Sequence, residues 1–342
     1  MSDLSLSLAT QSAETDVILA SVLEEQAQKG PDLRQTHPKS HGLLWGEFIV
    51  EDNIPESWLV GVFAQKRSYP IWVRLSNASA PEKRGKFKSD LEPDIRGLAI
   101  KLLEVEGEKV LDDEKYTQDF IFLSHPVFIT RTLQQFADLG KVGSGQADPE
   151  LLRSLAPVFE IIQAASSKQI ANPLLIPYWS TTPYKLGSHV IKFSLQPHQP
   201  DEIPDRKPDS ENYLREAVVK YLTQEAKEVN FDFLVQLFVD DEKTPIEDPT
   251  KEWKEEDAPF IKLATVKIPA QKFDFEERNR LNEGLSFSPW HTLPEHEPLG
   301  IINLARKKIY LEAVKFRHQY TEQRLREPQP YSEILDEPDT NS

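Results

Sequence analysis

The sequence predicts an α+β domain with an antiparallel β-barrel core, flanking helices and an N-terminal arm. Three observations predict it. Five short runs rich in Val, Ile, Phe and Trp, at residues 43–50, 58–63, 70–76, 95–103 and 118–124, follow one another and are separated by turn-forming segments. Three further runs of the same kind, 189–195, 231–239 and 260–268, return after a helical stretch. The resulting order of arm, strands, helices, strands and helices suits an α+β barrel rather than alternating βαβ units.

Taken in order, residues 1–14 are Ser-rich and are expected to be irregular, and residues 16–29 carry Val17, Leu19, Ala20 and Leu23 at helical spacing behind Thr15 or Asp16 as cap. This arm (1–30) precedes a single domain over 31–325 and an acidic tail, 326–342, whose composition predicts disorder. After the first five strand runs, 130–139 and 149–166 read as helices, and a Pro-rich passage covers 172–187. A helix at 212–225 separates two of the later strands, and a final helix spans 301 to about 324. The passage from Tyr178 to Tyr184 reads as an aromatic loop packed on the barrel.

The 342 residues, 39% of them hydrophobic, suffice for one large domain with a real core. A net charge of −16 and the lack of a Lys/Arg cluster exclude a polyanion, so no nucleic-acid partner is expected. With no Cys there are no disulfides, thiolate haem ligands or Cys nucleophiles. The N-terminus lacks a signal-peptide pattern and no run approaches 18 apolar residues, which predicts a cytoplasmic protein without an integral membrane segment. No Gly-rich phosphate loop stands out, so NADPH is not expected.

Two groups of residues point to chemistry. In the last helix, Arg306, Tyr310 and Arg317 share a stripe. A phenol beside one guanidinium suits a metal-bound phenolate, and the second guanidinium suits an acidic group farther along; a solvated helix face is the plainer alternative. In the first half, His37 is fixed by Pro38 on an extended segment that also carries Arg34, and an imidazole so held can shuttle a proton between the two oxygens of a peroxide. A structural His bonded to a nearby carbonyl remains open. Period two places Trp72, Arg74 and Ser76 on one strand face, so an Arg and a Ser enter one compartment, where the Arg requires a carboxylate partner. His41, His125, His291 and His296 lie in loops or beside aromatics, and no His-x-x-x-His helix offers a second metal site.

These residues resemble, in order over roughly 33–320, the catalase superfamily of haem proteins, most closely its short members. His37, Lys39, Gly42, Gly46 and Phe48 are similar to the family's distal-His segment, with one extra residue. Val73-Arg74-Leu75-Ser76, Asp94-x-Arg96-Gly97-x-Ala99-x-Lys101, Pro126-Val127-Phe128-Ile129-x-Arg131 and Arg306-x-x-x-Tyr310 are similar to its further motifs. The resemblance implies a catalase-type barrel and haem b, with iron held by Tyr310 as tyrosinate, Arg306 supporting that charge and His37 as distal acid/base hydrogen-bonded to Ser76. Tyrosinate ligation is the arrangement already known for catalases as a group. The resemblance also implies Arg34, Arg74 and Arg317 as propionate partners, Phe136 as a ring packed on the haem, and 285–298 as a cover of the haem face.

Two departures bear on the reaction. Catalases carry a distal Asn where this chain has Leu123 and Ser124, and Thr36 stands where they usually carry Val, as in the allene oxide synthase branch. Ser124 is a weaker distal hydrogen-bond donor, and the Thr36 hydroxyl is expected to tie up the imidazole. The expected activity is therefore on hydroperoxides, foremost those of fatty acids, giving an allene oxide or, with a reductant, an alcohol. A weak catalase or peroxidase using His37 and Ser124 on hydrogen peroxide, and a non-catalytic haem or lipid carrier, are the alternatives. A homo-oligomer is possible on the same resemblance.

Overall fold

A computed structural model describes residues 2–34, 36–203, 208–321 and 327–330, with side chains from residue 11 onward. Nine strands form one antiparallel sheet: β1 Ser40–Val50, β2 Ser68–Asn77, β3 Arg96–Leu102, β4 Gln118–Leu123, β5 Tyr178–Trp179, β6 Tyr184–Leu186, β7 His189–Pro197, β8 Val229–Leu237 and β9 Ile261–Ile268. Pairing of β5 with both β4 and β7, and of β1 with β9, closes eight of them into a barrel, and β6 is a hairpin partner of β7. Seven α-helices occur among the described residues: α1 Ser2–Lys29, α2 Leu133–Gly143, α3 Pro149–Ser154, α4 Ala156–Ser166, α5 Tyr213–Val219, α6 Glu276–Gly284 and α7 Ile301–His318. None of them is long and apolar enough to cross a membrane.

Alternation along the strands fills the barrel with side chains, as expected at this strand number. Phe48, Phe120, Phe193 and Phe233 meet inside it, with ring centroids 4.9 Å apart for Phe120–Phe233 and 5.2 Å for Phe48–Phe233. Val73, Leu75, Leu98, Ile100 and Phe122 belong to the same core. Outside it, α1 packs on α2 and α7, so the arm and the last helix share one flank.

Several elements differ from the sequence expectation. Residues 58–63 form two 3-10 turns, Glu56–Trp58 and Gly61–Phe63, instead of a strand. Gly61 takes φ +52°, a Cβ there would collide with His296, and the Val62 amide donates to His296 Nε2 at 3.0 Å, so this apolar run folds back into the core. The stretch 149–166 divides into α3 and α4 around Leu155, because Pro157 has no N–H to continue the ladder. α1 extends to Ser2 through a stretch free of Gly and Pro, in place of the expected irregular segment. α5 continues into a π-helical turn, Lys220–Gln224. α7 ends at His318. Beyond residue 321 the structure describes 327–330, where Glu327 accepts the Lys115 and Tyr116 amides and Gln329 O accepts Trp72 Nε1–H at 3.0 Å; the rest of the expected tail lies outside the described residues.

The segment leading into α7 is pinned to the barrel by buried charge. Lys101, fully buried on β3, pairs with Glu114 and with Asp119 at 2.7 Å, and His291 bridges Asp119 and Asp113 at 2.9 Å each. Ser288 N donates to Asp119 at 2.9 Å and Ser286 Oγ to Glu114 at 3.0 Å. Glu114, Asp119 and His291 converge as metal ligands would, but the Lys101 ammonium already donates to both carboxylates from the position a cation would take. Lys101→Met is expected to cost about 3–5 kcal/mol, since it leaves buried carboxylates unpaired, read as a lower denaturant midpoint at unchanged slope; a loss below about 1 kcal/mol would contradict the cluster's role. Burial and Lys101 push His291 down, but Glu114, Asp119 and the Asp113 hydrogen bond outweigh them and raise it to about 9. Its stabilising contribution is therefore complete below pH 6.5 and is lost as pH rises through 9.

Candidate functional site

The outer barrel face over β2, β3 and β4 carries the residues of interest. Strand parity turns Ile71, Val73 and Leu75 into the barrel and Trp72, Arg74 and Ser76 outward, toward the helices rather than the barrel interior. Ser76 is paired with Gly97 and Arg74 with Ala99, and Gly97 in turn with Leu123, so these five positions form a patch.

His37 lies against that patch. Its φ of +56° is a left-handed conformation costing about 1–2 kcal/mol for a residue with a Cβ, held here by its amide donating to Ala78 O at 3.2 Å. Nδ1 of the imidazole lies 3.0 Å from Ser76 Oγ. Gly97 provides the seat: a Cβ there would fall within contact distance of both Cε1 and Nδ1 of His37, and 3.1 Å from Ser76 Oγ. Burial first, then the charges of Arg74, Arg306 and Arg34, lower the imidazole to about 3. In the neutral tautomer whose Nδ1–H donates to Ser76 Oγ, Nε2 is a proton acceptor. NMR of the purified protein is expected to show no His37 titration between about pH 5 and 8, and a midpoint near its ordinary value of about 6.5 would contradict this environment.

The other two predicted distal residues stand differently. Thr36 is exposed, and the imidazole is engaged by Ser76. Ser124 is buried and its hydroxyl accepts the Arg96 amide at 2.9 Å. Leu123, the register partner of Gly97, puts an aliphatic side chain on the face where His37 sits.

Three guanidiniums gather beside this patch. Arg34 Nη2 donates to Asn282 O at 2.9 Å and to Leu285 O, Arg74 Nε to Asn282 Oδ1 at 2.9 Å, and Arg317 Nη2 to Leu285 O at 3.2 Å. Their partners are carbonyl oxygens, and among the described residues the one acid that offsets them is Glu283. Burial and mutual repulsion lower Arg74 to about 9 and Arg317 well below its usual range. Arg34 Nε, Arg74 Nη2 and Arg317 Nε are buried with no partner. Three cations facing one carboxylate, with unused donors, fit a ligand that carries carboxylate groups. Sequence reasoning missed Asn282, Glu283 and α6 itself; the acidic pair Glu276–Glu277 in the first helical turn was the available signal.

On α7, Arg306 and Tyr310 are neighbours one turn apart. Arg306 Nη2 donates to Tyr310 Oη at 3.1 Å, Nη1 to Asn303 Oδ1 at 2.9 Å and Thr182 Oγ1 at 3.4 Å, and the guanidinium lies 5.2 Å from the Tyr310 ring centroid. Burial opposes the Arg306 charge, but Tyr310 and Tyr184 outweigh it, so its pKa is raised. Phe136 stacks on Phe128 at 6.1 Å within a cluster that includes Ile302 and Ala305, joining α2 to α7. Trp290 Nε1 donates to Asn303 O at 2.7 Å and so ties the 285–298 segment to the same helix. His37, Arg34, Arg74 and Arg306 thus share one electrostatic neighbourhood, Arg317 joins its arginine cluster, and Tyr310 enters through Arg306.

No family model matches the chain, and no curated protein matches it in sequence. Solved structures do match. A fungal catalase superposes with TM-score 0.64 at 18% identity, over 88% of this chain and 62% of that one. Catalase A from Saccharomyces cerevisiae gives 0.65 at 19%, over 88% and 64%, and a bacterial catalase 0.64 at 18%, over 91% and 61%. The chain spans a little over three fifths of the length of these catalases. Its barrel and flanking helices have the catalase-related fold.

Proposed function

We propose that the protein is a haem-dependent enzyme acting on organic hydroperoxides, foremost those of fatty acids. The observation that carries the reading is the cluster of Arg34, Arg74 and Arg317, whose buried, unused donors call for carboxylates beside a neutral His37 and near the Arg306–Tyr310 pair. A porphyrin's two propionates meet that demand. Tyr310 Oη would hold the iron and Arg306 would stabilise the phenolate through Nη2. When bound, an iron porphyrin supplies the redox centre that breaks the O–O bond of a hydroperoxide.

The chain's own part is protonic and steric. His37 Nε2 takes the hydroperoxide proton and returns it to the departing oxygen, while Ser76 holds the ring through Nδ1. Leu123 lines the face on which His37 rests, which supports a substrate bearing an alkyl chain. Leu123 rather than Ser124 is the register partner of Gly97 beneath His37, which weighs against a His37–Ser124 pair working on hydrogen peroxide. Turnover of a fatty-acid hydroperoxide and of hydrogen peroxide, compared on the haem-loaded protein, tests the assignment. The expected ratio of kcat/KM favours the lipid hydroperoxide by at least about tenfold, about 1.4 kcal/mol; a preference for hydrogen peroxide would overturn it.

A further inference from the structure

We infer that Lys192 is the nucleophile of a second, covalent binding site that captures a small aliphatic aldehyde as a Schiff base in a cavity on the outside of the barrel. Parity sends Phe193 and Leu195 into the core and Lys192 outward from β7, into a cavity of about 240 Å³ roofed by the 252–260 loop. That is below the roughly 300–1,000 Å³ of sites for drug-sized ligands, which points to a small molecule. Trp179, Trp253 and Phe260 give it apolar walls, and Lys192, Gln236 and Glu252 are among its polar groups.

The amine is placed for addition to a carbonyl. Lys192 is 5% exposed, has no ion pair among the described residues, donates to Lys251 O at 3.3 Å and stands 5.1 Å from the Trp253 ring centroid. Asp248 and Glu252 are the charged groups acting on it, and Glu255 lies on the cavity wall. Burial outweighs those carboxylates and lowers the amine to about 7. About half of it is then uncharged at neutral pH, against about one part in a thousand or less for a solvated lysine. Lys101, by contrast, has carboxylate partners and its pKa is raised, and Lys109, whose Nζ is also buried, is lowered less far, to about 8.

The step needs no co-reactant. The Lys192 Nζ lone pair adds to the carbonyl carbon, the C=O π electrons pass to oxygen, a proton moves from nitrogen to that oxygen, and water leaves as the C=N bond forms. Glu252, on the same wall, is the group suited to relay the proton.

The test uses the full chain, hexanal and sodium cyanoborohydride at pH 7, with peptide mass mapping of the reduced adducts. Labelling is expected first at Lys192, at least about tenfold faster than at exposed lysines such as Lys66 or Lys86, with saturation in hexanal and a pH midpoint near 7. Lys192→Arg should remove this adduct and leave the slow surface labelling. The unmodified protein's own pH profile decides the matter if that variant folds poorly. Labelling spread in proportion to exposure, or a Lys192 adduct that appears only in the usual lysine titration range, overturns the proposal. None of these readouts requires bound haem.

Discussion

Tyr310→Phe is expected to leave a folded, colourless and inactive protein. In the haem-free state the substitution removes one hydrogen bond to a charged partner, worth about 1.5–3 kcal/mol, and Arg306 keeps Asn303 and Thr182. The loss of stability is therefore modest, and circular dichroism should match the parent. The loss of function is much larger, because the phenol oxygen is the proposed iron ligand and its companion Arg306 is arranged for a phenolate. Haem retention after gel filtration, followed by absorbance, and hydroperoxide turnover should both fall to background. A variant that retains a parent-like haem spectrum and rate would remove Tyr310 from the account.

Gly97→Ala is expected to separate haem binding from chemistry. The added methyl must occupy space held by Cε1 and Nδ1 of His37, and neither backbone nor ring can yield without breaking the Ser76 hydrogen bond. Overpacking at such a seat costs about 1–3 kcal/mol, which a domain of this size can tolerate. Displacing the proposed acid/base should lower turnover by about 10²–10⁴-fold while haem content stays at the parental level. Near-parental turnover in Gly97→Ala would show that the position of His37 does not matter.

The parts legible in the sequence are those where periodicity determines geometry. Period two sorts Arg74 and Ser76 from Val73 and Leu75, and the four-residue spacing brings Arg306 onto Tyr310, because in each case one regular element carries both groups. Long-range partners leave no comparable trace. Asn282 and the Leu285 carbonyl receive Arg34, Arg74 and Arg317 across large sequence separations. β5 closes the barrel with two residues, too few for an alternating pattern, so the aromatic passage around it reads as a loop. The run at 58–63 has strand composition, yet the left-handed Gly61 turns it into a plug against His296. Ser124 and Thr36 depend on where a chain ends or turns at the edge of an element, and there local pattern says least about the direction of a hydroxyl.

The arginine cluster matters more than any one motif. Exposed arginines are ordinary, but the buried Arg74 and Arg317 and the half-buried Arg34, supported by carbonyls and, among the described residues, a single carboxylate, are an unresolved charge until an anion arrives. Haem binding should accordingly raise the melting temperature, since a ligand that binds only the folded state stabilises it by mass action.

Haem titration of the purified haem-free chain, followed by absorption and resonance Raman spectroscopy, is the decisive experiment. Saturation is expected at one haem per chain, with phenolate–iron vibrations that vanish in Tyr310→Phe. Failure to take up haem, or uptake with an unchanged spectrum in that variant, would contradict the haem assignment.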